Sequence, residues 1–339
     1  MAFISPSLRL IRLIYPRASF SSSSSTNVKL AGGVSMVQGA SRGIGLEFVT
    51  VLESQRYVIT LSVLAPCSSA KKCTQPIGLL VVWLYLYKLG KPYMQLNIHG
   101  VKQLLEKNER GHVVATCRNP NEATGLLNLK NKFDDRLSIQ QLDVTVESTI
   151  EECAKSIQER YGSLNLLINA SGVLSISDKL QPETTLSKVQ KSSLLFAYEV
   201  NAVGPILVIK HMWPLLKNGG GSGTERDVAI VANLSARVGS IGDNRLGGWH
   251  SYRSSKSALN QLTKTISVEF ARKKDPIICI LLHPGTVDTD LSRPFQRNVP
   301  EGKLFTKEFS VQKLLTIING AKRQDNGKFF AWDGQEIPW

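Results

Sequence analysis

The chain has 339 residues, 42% of them hydrophobic and 20% charged, which is an ordinary globular composition and excludes a disordered chain or a repeat array. Five cysteines exclude a disulfide framework, and the longest uninterrupted apolar stretch, the 11 residues Ile77–Tyr87, is too short for a membrane span of about 20 residues. Lys and Arg total 41 against 27 for Asp and Glu, giving a net charge of +14. Such a charge suggests a nucleic acid or an anionic surface unless it lies in separable segments.

The first 33 residues have the composition of an organellar import peptide. They carry a net charge of +4, contain no acidic residue and include the Ser-rich stretch 18–26. We predict that 1–33 is an import peptide, for the mitochondrion in preference to the chloroplast. The alternative is a tail without a targeting role, which would leave the protein cytoplasmic.

A short apolar run, Val34–Gln38, leads into a glycine-rich turn of the form GxxxGxG. A strand, such a turn and a helix together begin a dinucleotide-binding unit. Gly39 allows the tight turn, Gly43 lets the backbone approach a pyrophosphate, and Gly45 lets the helix pack on the strand. On this motif alone an ordinary loop stays an equal alternative. The predicted cofactor-binding residues of the turn are Gly39, Ser41, Arg42, Gly43, Ile44 and Gly45.

We predict that residues 50–101 are an insertion into the first helix of this unit. They show no clear period and contain Pro66, Pro76 and Pro92. Without them the helix would continue into 102–111, and Arg118 would follow Gly45 at the spacing of about 20 residues expected of a ribose-reading residue. We interpret the segment as translated non-coding sequence, with a real surface excursion as the alternative. It carries a further net +4, so the remainder, at +6, needs no nucleic acid to explain it.

The residue after the second predicted strand, His112–Cys117, indicates which nicotinamide cofactor is used. An Asp or Glu there would bind the ribose 2′-hydroxyl and repel a 2′-phosphate, whereas this chain has Arg118, and Arg42 lies in the glycine turn. Two guanidinium groups suit a phosphate dianion. The prediction is NADPH (NADP) rather than NADH.

Strands and helices then alternate, which predicts an α/β fold with a Rossmann-type doubly wound parallel sheet in a single domain, 34–339. Leu137–Leu142 and Leu164–Ile168 are the third and fourth strands, with the buried face of a helix at 150–161 between them. Residues 217–227 are predicted to be a flexible loop, and Pro276–Leu282 the sixth strand.

Tyr252 and Lys256 are four residues apart in a helical pattern, so the phenol and the ammonium share one face. A free tyrosine has a pKa of about 10, and a nearby lysine and an oxidised nicotinamide would lower that pKa. The pair is a candidate general acid. The five histidines lack ligand spacing, so no metal site is predicted.

These motifs in this order resemble the short-chain dehydrogenase/reductase superfamily, from Val34 to Trp339 apart from the insertion. Residues 234–256 resemble in particular the carbonyl-reductase group that includes Sniffer and the bacterial C-factor. The shared motifs are the GxxxGxG turn, Asp143-Val144, the NASG turn at 169–172, Asn201, YxxxK at 252–256 and Pro284-Gly285.

The resemblance implies a role for each matching residue. Tyr252 would protonate a carbonyl oxygen as hydride arrives from NADPH, Lys256 would hold the nicotinamide ribose, and Asn201 would hold a water that relays protons. Asp143 and Val144 would flank the adenine. The remaining cofactor-lining residues would be Asn169, Ala170, Ser171, Gly172, Pro284, Gly285, Val287 and Thr289.

One departure concerns the serine that would bind the substrate carbonyl. The family usually has two serines after the fifth strand and uses the second, but this chain has Ser235-Ala236. We predict Ser235 in the role, with Ser240 as the alternative. The segment 288–307 would cover the substrate, with Leu291, Pro294 and Phe295 as an apolar lid.

The predicted function is reduction of a small aldehyde or ketone by NADPH, and the predicted partner is that carbonyl substrate. No nucleic-acid or membrane partner is expected, and the family implies a homodimer or homotetramer. The alternative is a catalytically impaired isoform or a C-factor-like signalling protein without turnover, because a disrupted first helix would displace the pyrophosphate-binding amides.

Overall fold

The computed structural model describes residues 33–48, 112–133, 135–176, 179–221 and 226–339. Residues 1–32 of the predicted import peptide, the predicted insertion 50–101 and the helix expected at 102–111 lie outside the described residues. The interpretations of those segments therefore stay predictions.

A seven-stranded parallel sheet forms the centre of the described part of the chain. The strand order is β3-β2-β1-β4-β5-β6-β9. The chain adds strands on one side of β1 up to β3 and on the other side from β4 onward, as in doubly wound dinucleotide-binding sheets. A two-stranded pair, β7 and β8, lies apart from it. The strands are β1 (Val34–Gln38), β2 (His112–Cys117), β3 (Leu137–Gln141), β4 (Leu166–Asn169), β5 (Ala229–Leu234), β6 (Ile277–His283), β7 (Thr286–Val287), β8 (Leu304–Phe305) and β9 (Phe329–Ala331).

The helices cover both faces of this sheet, as the predicted doubly wound fold requires. The described helices are α1 (43–48), α2 (Thr124–Lys132), α3 (Glu147–Tyr161), α4 (Lys191–Tyr198), α5 (Gly204–Gly219), α6 (His250–Lys273) and α7 (Lys307–Gly320). One turn of π-helix, Glu199–Val203, joins α4 to α5. The resulting stretch Lys191–Gly219 has the length and mean hydropathy (1.5) of a membrane span, but half of its most apolar window is buried inside the protein.

Two apolar cores lie on opposite faces of the sheet. One packs α1, α2 and α7 on the strands, with Phe48, Leu126 and Leu314 fully buried. The other packs α3, α5 and α6, with Ile150 and Met212 fully buried. Side chains of a strand alternate between faces, so a central strand covered on both faces is mainly apolar. All six residues of β5 are buried, and the polar one among them is Asn233.

The described elements confirm the predicted strands to within two residues, but the predicted loop at 217–227 is partly wrong. Helix α5 continues to Gly219. Lys217 in its last turn pairs with buried Asp275 at 3.3 Å, and a Cβ at Gly219 would lie 2.0 Å from the Leu164 carbonyl oxygen. This tertiary packing extends the helix into a sequence whose composition is typical of a loop.

Asp275 fixes the turn between α6 and β6. Its carboxylate accepts a hydrogen bond from the indole N–H of Trp213 at 2.9 Å, and its side chain is almost fully buried. The ammonium of Lys273 lies 4.4 Å from the centroid of the same indole. The contact joins α5 to the end of the helix that carries Tyr252 and Lys256.

We expect Asp275→Ala to lower the free energy of unfolding by about 1–3 kcal/mol, because the buried indole N–H loses its acceptor. Chemical denaturation would measure the change. Asp227→Ala is the control, since the ion pair of Asp227 with Arg323 is exposed and should contribute about 0–1 kcal/mol. Equal losses in the two variants would contradict this role of Asp275.

Candidate active site

The predicted site residues follow the carboxyl ends of neighbouring parallel strands, where ligands of doubly wound sheets bind. The turn after β1 is tightly packed. Gly39 has φ +79°, which favours glycine, and a Cβ on Gly45 would lie 2.1 Å from the Gly39 carbonyl oxygen. A Cβ on Gly43 would lie 3.6 Å from a methyl of Thr289, so the turn faces the segment after β7. The backbone of this turn is open to a phosphate group at the start of α1.

The turn after β4 packs directly on the first. Gln38 donates a hydrogen bond to the Ser171 hydroxyl and accepts one from the Ser171 N–H at 3.3 Å. Asn169 donates to Asn233 at 2.8 Å, and Asn233 donates to Thr263 of α6 at 2.8 Å. A chain of buried amides therefore links this turn to the helix of Tyr252.

Asn169 keeps an unused acceptor. Its Oδ1 is buried and has no hydrogen-bond partner among the described residues. A buried acceptor without a partner is costly, and a bound donor group would satisfy it. Together with the open glycine turn, this orphan acceptor fits a dinucleotide beside Asn169, Ala170 and Gly172.

The residues predicted at the adenine end follow β1, β2 and β3. Arg42 and Arg118 are both exposed. The Asp143 carboxylate accepts hydrogen bonds from the N–H and the hydroxyl of Thr145, at 2.9 and 2.7 Å. Val144 is buried, and a Cβ added at Gly204 would lie 2.6 Å from the Cβ of Val144. Asp143 thus shapes the loop after β3, and the two arginines border open solvent.

Tyr252, Lys256 and Asn201 meet in one place. The Lys256 ammonium is 5.9 Å from the centroid of the Tyr252 ring and donates to the Leu234 carbonyl at 2.9 Å. Asn201, fully buried in the π-helical turn, exchanges hydrogen bonds with the backbone of Val173 at 2.7 and 2.9 Å. A Cβ on Gly172 would lie 3.4 Å from Asn201 Oδ1 and 3.5 Å from Lys256 Nζ. The amide oxygen and the ammonium therefore border the same small space.

The expected lowering of the tyrosine pKa does not occur in the protein alone. Burial raises the pKa of Tyr252 to about 12 and lowers the pKa of Lys256 to about 8, because both charged forms lose solvation. Desolvation of the phenol raises the pKa in the chain alone, and the lowering expected with an oxidised nicotinamide bound stays a prediction. A neutral phenol is nevertheless the form that a general acid needs.

The two candidate serines have other partners. The Ser235 hydroxyl donates to Asn260 Oδ1 at 2.6 Å, and Asn260 is two helical turns, about 12 Å, beyond Tyr252 along α6. Ser240 is buried and accepts the Asp243 N–H at 3.1 Å. The structure thus joins Ser235 to Asn260 and Ser240 to the backbone of Asp243, and the choice between the two serines stays a prediction.

The segment after β6 closes the site on its other side. Ser310 of α7 donates to the Pro284 carbonyl at 2.9 Å, and a Cβ on Gly285 would lie 2.5 Å from the Phe305 ring. Val287 is buried, and its carbonyl accepts a bond from Ser292 at 2.6 Å. Pro284, Gly285, Val287 and Thr289 therefore line one continuous wall that faces the glycine turn.

Sequence reasoning missed Glu183 and Trp249. Glu183 is buried, and its carboxylate accepts hydrogen bonds from the N–H of Ser251, at 3.1 Å, and from the Ser251 hydroxyl. It is 68 residues from Ser251, so no local pattern indicates the contact. Trp249 directly precedes α6, and an aromatic residue three before Tyr252 was the signal available for it.

Known proteins share this architecture. The sequence profile described as short chain dehydrogenase matches residues 100–300. An uncharacterized oxidoreductase of Schizosaccharomyces pombe is 31% identical over 245 residues, covering 69% of this chain and 90% of the relative. The C-signal of Myxococcus xanthus is 31% identical over 178 residues, covering 52% of this chain and 94% of the relative. The NADPH-bound carbonyl reductase from chicken fatty liver is 27% identical with a TM-score of 0.65, covering 91% of this chain and all of that one. Sniffer of D. melanogaster has the same coverage and TM-score at 24% identity, a likeness of fold.

We expect the burial of Lys256 to contribute stability that rises with pH between about 8 and 10, whereas the buried thiols of Cys153 and Cys279, with pKa values raised to about 12, act in the opposite direction. In this window the unfolded chain binds a proton that the native lysine, with a lowered pKa of about 8, does not bind. Lys256→Met should remove this contribution, so that the change of stability from pH 8 to pH 10 is more negative than in the wild type in urea denaturation measured at pH 8, 9 and 10. Lys313→Met, at an exposed position of α7, is the control for loss of a lysine. An unchanged slope in Lys256→Met would show that the lysine is not the cause.

Proposed function

Because this chain belongs to the short-chain dehydrogenase family, an oxidoreductase family acting on C–OH and C=O groups, we propose that it reduces a small aldehyde or ketone with NADPH. The observation that carries the proposal is the meeting of Tyr252, Lys256 and Asn201 beside the paired glycine-rich turns. NADPH, when bound, supplies the hydride. The protein supplies a proton and a fixed orientation.

Tyr252 is the proposed proton donor to the carbonyl oxygen. Its raised pKa keeps the phenol protonated until negative charge develops on the substrate oxygen. Lys256 borders the Asn201 amide oxygen, and its pKa of about 8 leaves the ammonium largely protonated near neutrality. A charged Lys256 beside the ring then favours the phenolate that remains after transfer.

The residues proposed to hold the cofactor form three groups. The backbone of the glycine turn, with Ser41 and Ile44, would bind the pyrophosphate. Asn169 Oδ1 and the wall from Pro284 to Thr289 would contact the nicotinamide half, with Asp143 and Val144 at the adenine. Arg42 and Arg118 would bind the 2′-phosphate, which supports NADPH.

Tyr252→Phe should lower kcat by about 100-fold or more with NADPH affinity retained, because the phenol acts on the substrate oxygen. NADPH oxidation with a panel of aldehydes and ketones would measure turnover, and fluorescence titration would measure binding. Tyr161→Phe, in α3 away from this site, is the matched control.

The same assays distinguish the alternative function. The full chain and a chain lacking 50–101 would be compared. NADPH binding without turnover of any carbonyl in both chains would favour a C-signal-like role without catalysis. Absence of NADPH binding in both would overturn the reductase proposal.

Arg118→Asp should lower the NADPH-to-NADH ratio of kcat/KM by about 10-fold or more, because a charge-assisted bond to the 2′-phosphate contributes about 1.5–3 kcal/mol. Initial rates with both cofactors would measure the ratio. Arg272→Asp, at an exposed position of α6, is the control for the same change of charge. A ratio that moves equally in both variants would remove the assigned role of Arg118.

A further inference from the structure

Trp249 occupies an unusual backbone position immediately before α6. Its φ and ψ are 50° and 44°, the left-handed region, which bulky residues rarely adopt. Gly247 and Gly248, directly before it, also have positive φ. Such a conformation persists where the surroundings determine it, and it often lies at a functional site.

The surroundings that hold Trp249 come from Glu183. The Trp249 N–H donates to the Glu183 carbonyl oxygen at 2.5 Å, and the carboxylate of the same residue binds Ser251. With both its main chain and its side chain engaged, Glu183 fixes the chain on either side of His250. The direction of the indole is therefore set by a buried contact and not by the exposed loop that precedes it.

The indole lies between the proposed acid and the segment 288–303. Its centroid is 6.2 Å from that of Tyr252, in an edge-to-face arrangement, and 5.0 Å from that of Phe295. All three residues are half-buried. They form a row of aromatic rings that ends at the phenol.

The two ends of the segment that carries Phe295 are paired with each other. Parallel pairing of β7 with β8 joins its two ends, with Val287 opposite Phe305. Phe305 packs against Trp332 at 4.7 Å and Phe309 at 5.0 Å between centroids. The paired ends are thus anchored, and the Phe295–Trp249 contact ties the middle of the segment to α6.

We propose that Trp249 is a specificity-determining residue that selects carbonyl compounds bearing a flat, apolar substituent, such as an aryl group. The inference rests on the proposed reductase function. A planar group attached to a carbonyl carbon at Tyr252 would contact the indole and Phe295, because aromatic rings favour offset and edge-to-face neighbours. A small aliphatic group would leave this contact unmade.

The test compares benzaldehyde with propanal as substrates of the full chain. In Trp249→Ala the benzaldehyde-to-propanal ratio of kcat/KM should fall about 10-fold or more, as for other changes of pocket contacts. Trp249→Phe should retain most of the ratio. Leu246→Ala, 91% exposed in the same loop, should leave it unchanged.

Phe295→Ala provides a second, independent variant. It should lower the same ratio, and the double variant with Trp249→Ala should lower it little further, because the two rings act as one surface. An unchanged ratio in Trp249→Ala with propanal turnover intact would overturn the assignment of Trp249 and leave the reductase proposal standing. Absence of NADPH binding, with and without residues 50–101, would overturn the reductase proposal and with it this one.

Discussion

Burial of the Lys256 ammonium is the constraint on which the rest of the site depends. The lysine is 3% exposed, and its Nζ bonds the Leu234 carbonyl at the end of β5. Room for it requires glycine at position 239, where a Cβ would lie 2.7 Å from the lysine Cβ. Gly172 borders Nζ on another side, and a Cβ there would lie at an ordinary contact distance of 3.5 Å. A buried cation is costly, so the protonation of Lys256 is sensitive to any charged or polar group that binds beside it.

This constraint explains how the surrounding elements are arranged. The π-helical segment directs Asn201 inward toward Gly172. Single turns of π-helix are frequent at functional sites. The amides of Asn169 and Asn233 connect the turn after β4 to α6 across two strands. Buried polar chains of this kind hold one geometry, because each unmet partner is costly. These contacts hold Tyr252 in a fixed position relative to the two turns that are proposed to bind the cofactor.

The sequence predicted the sheet well because its signals are local. The run Val34–Gln38, the period of 150–161 and the spacing of Tyr252 and Lys256 each depend on neighbours within a few residues. Its prediction of a loop at 217–227 was partly wrong because the contacts of Lys217 and Gly219 come from Asp275, between α6 and β6, and from Leu164, just before β4. It did not anticipate that burial of the phenol raises the tyrosine pKa in the chain without a bound cofactor.

The sequence by itself indicated the doubly wound fold, which follows from period and spacing, and its motifs carried the resemblance to a family that implied the residues of the site. Only the tertiary structure decided which groups meet. It placed the Ser235 hydroxyl on Asn260, left Asn169 Oδ1 without a hydrogen-bond partner in the described part of the chain, and brought Glu183 to Ser251 across 68 residues. Such pairings depend on how helices pack on the sheet. The local sequence around a residue does not indicate which distant residue it will contact.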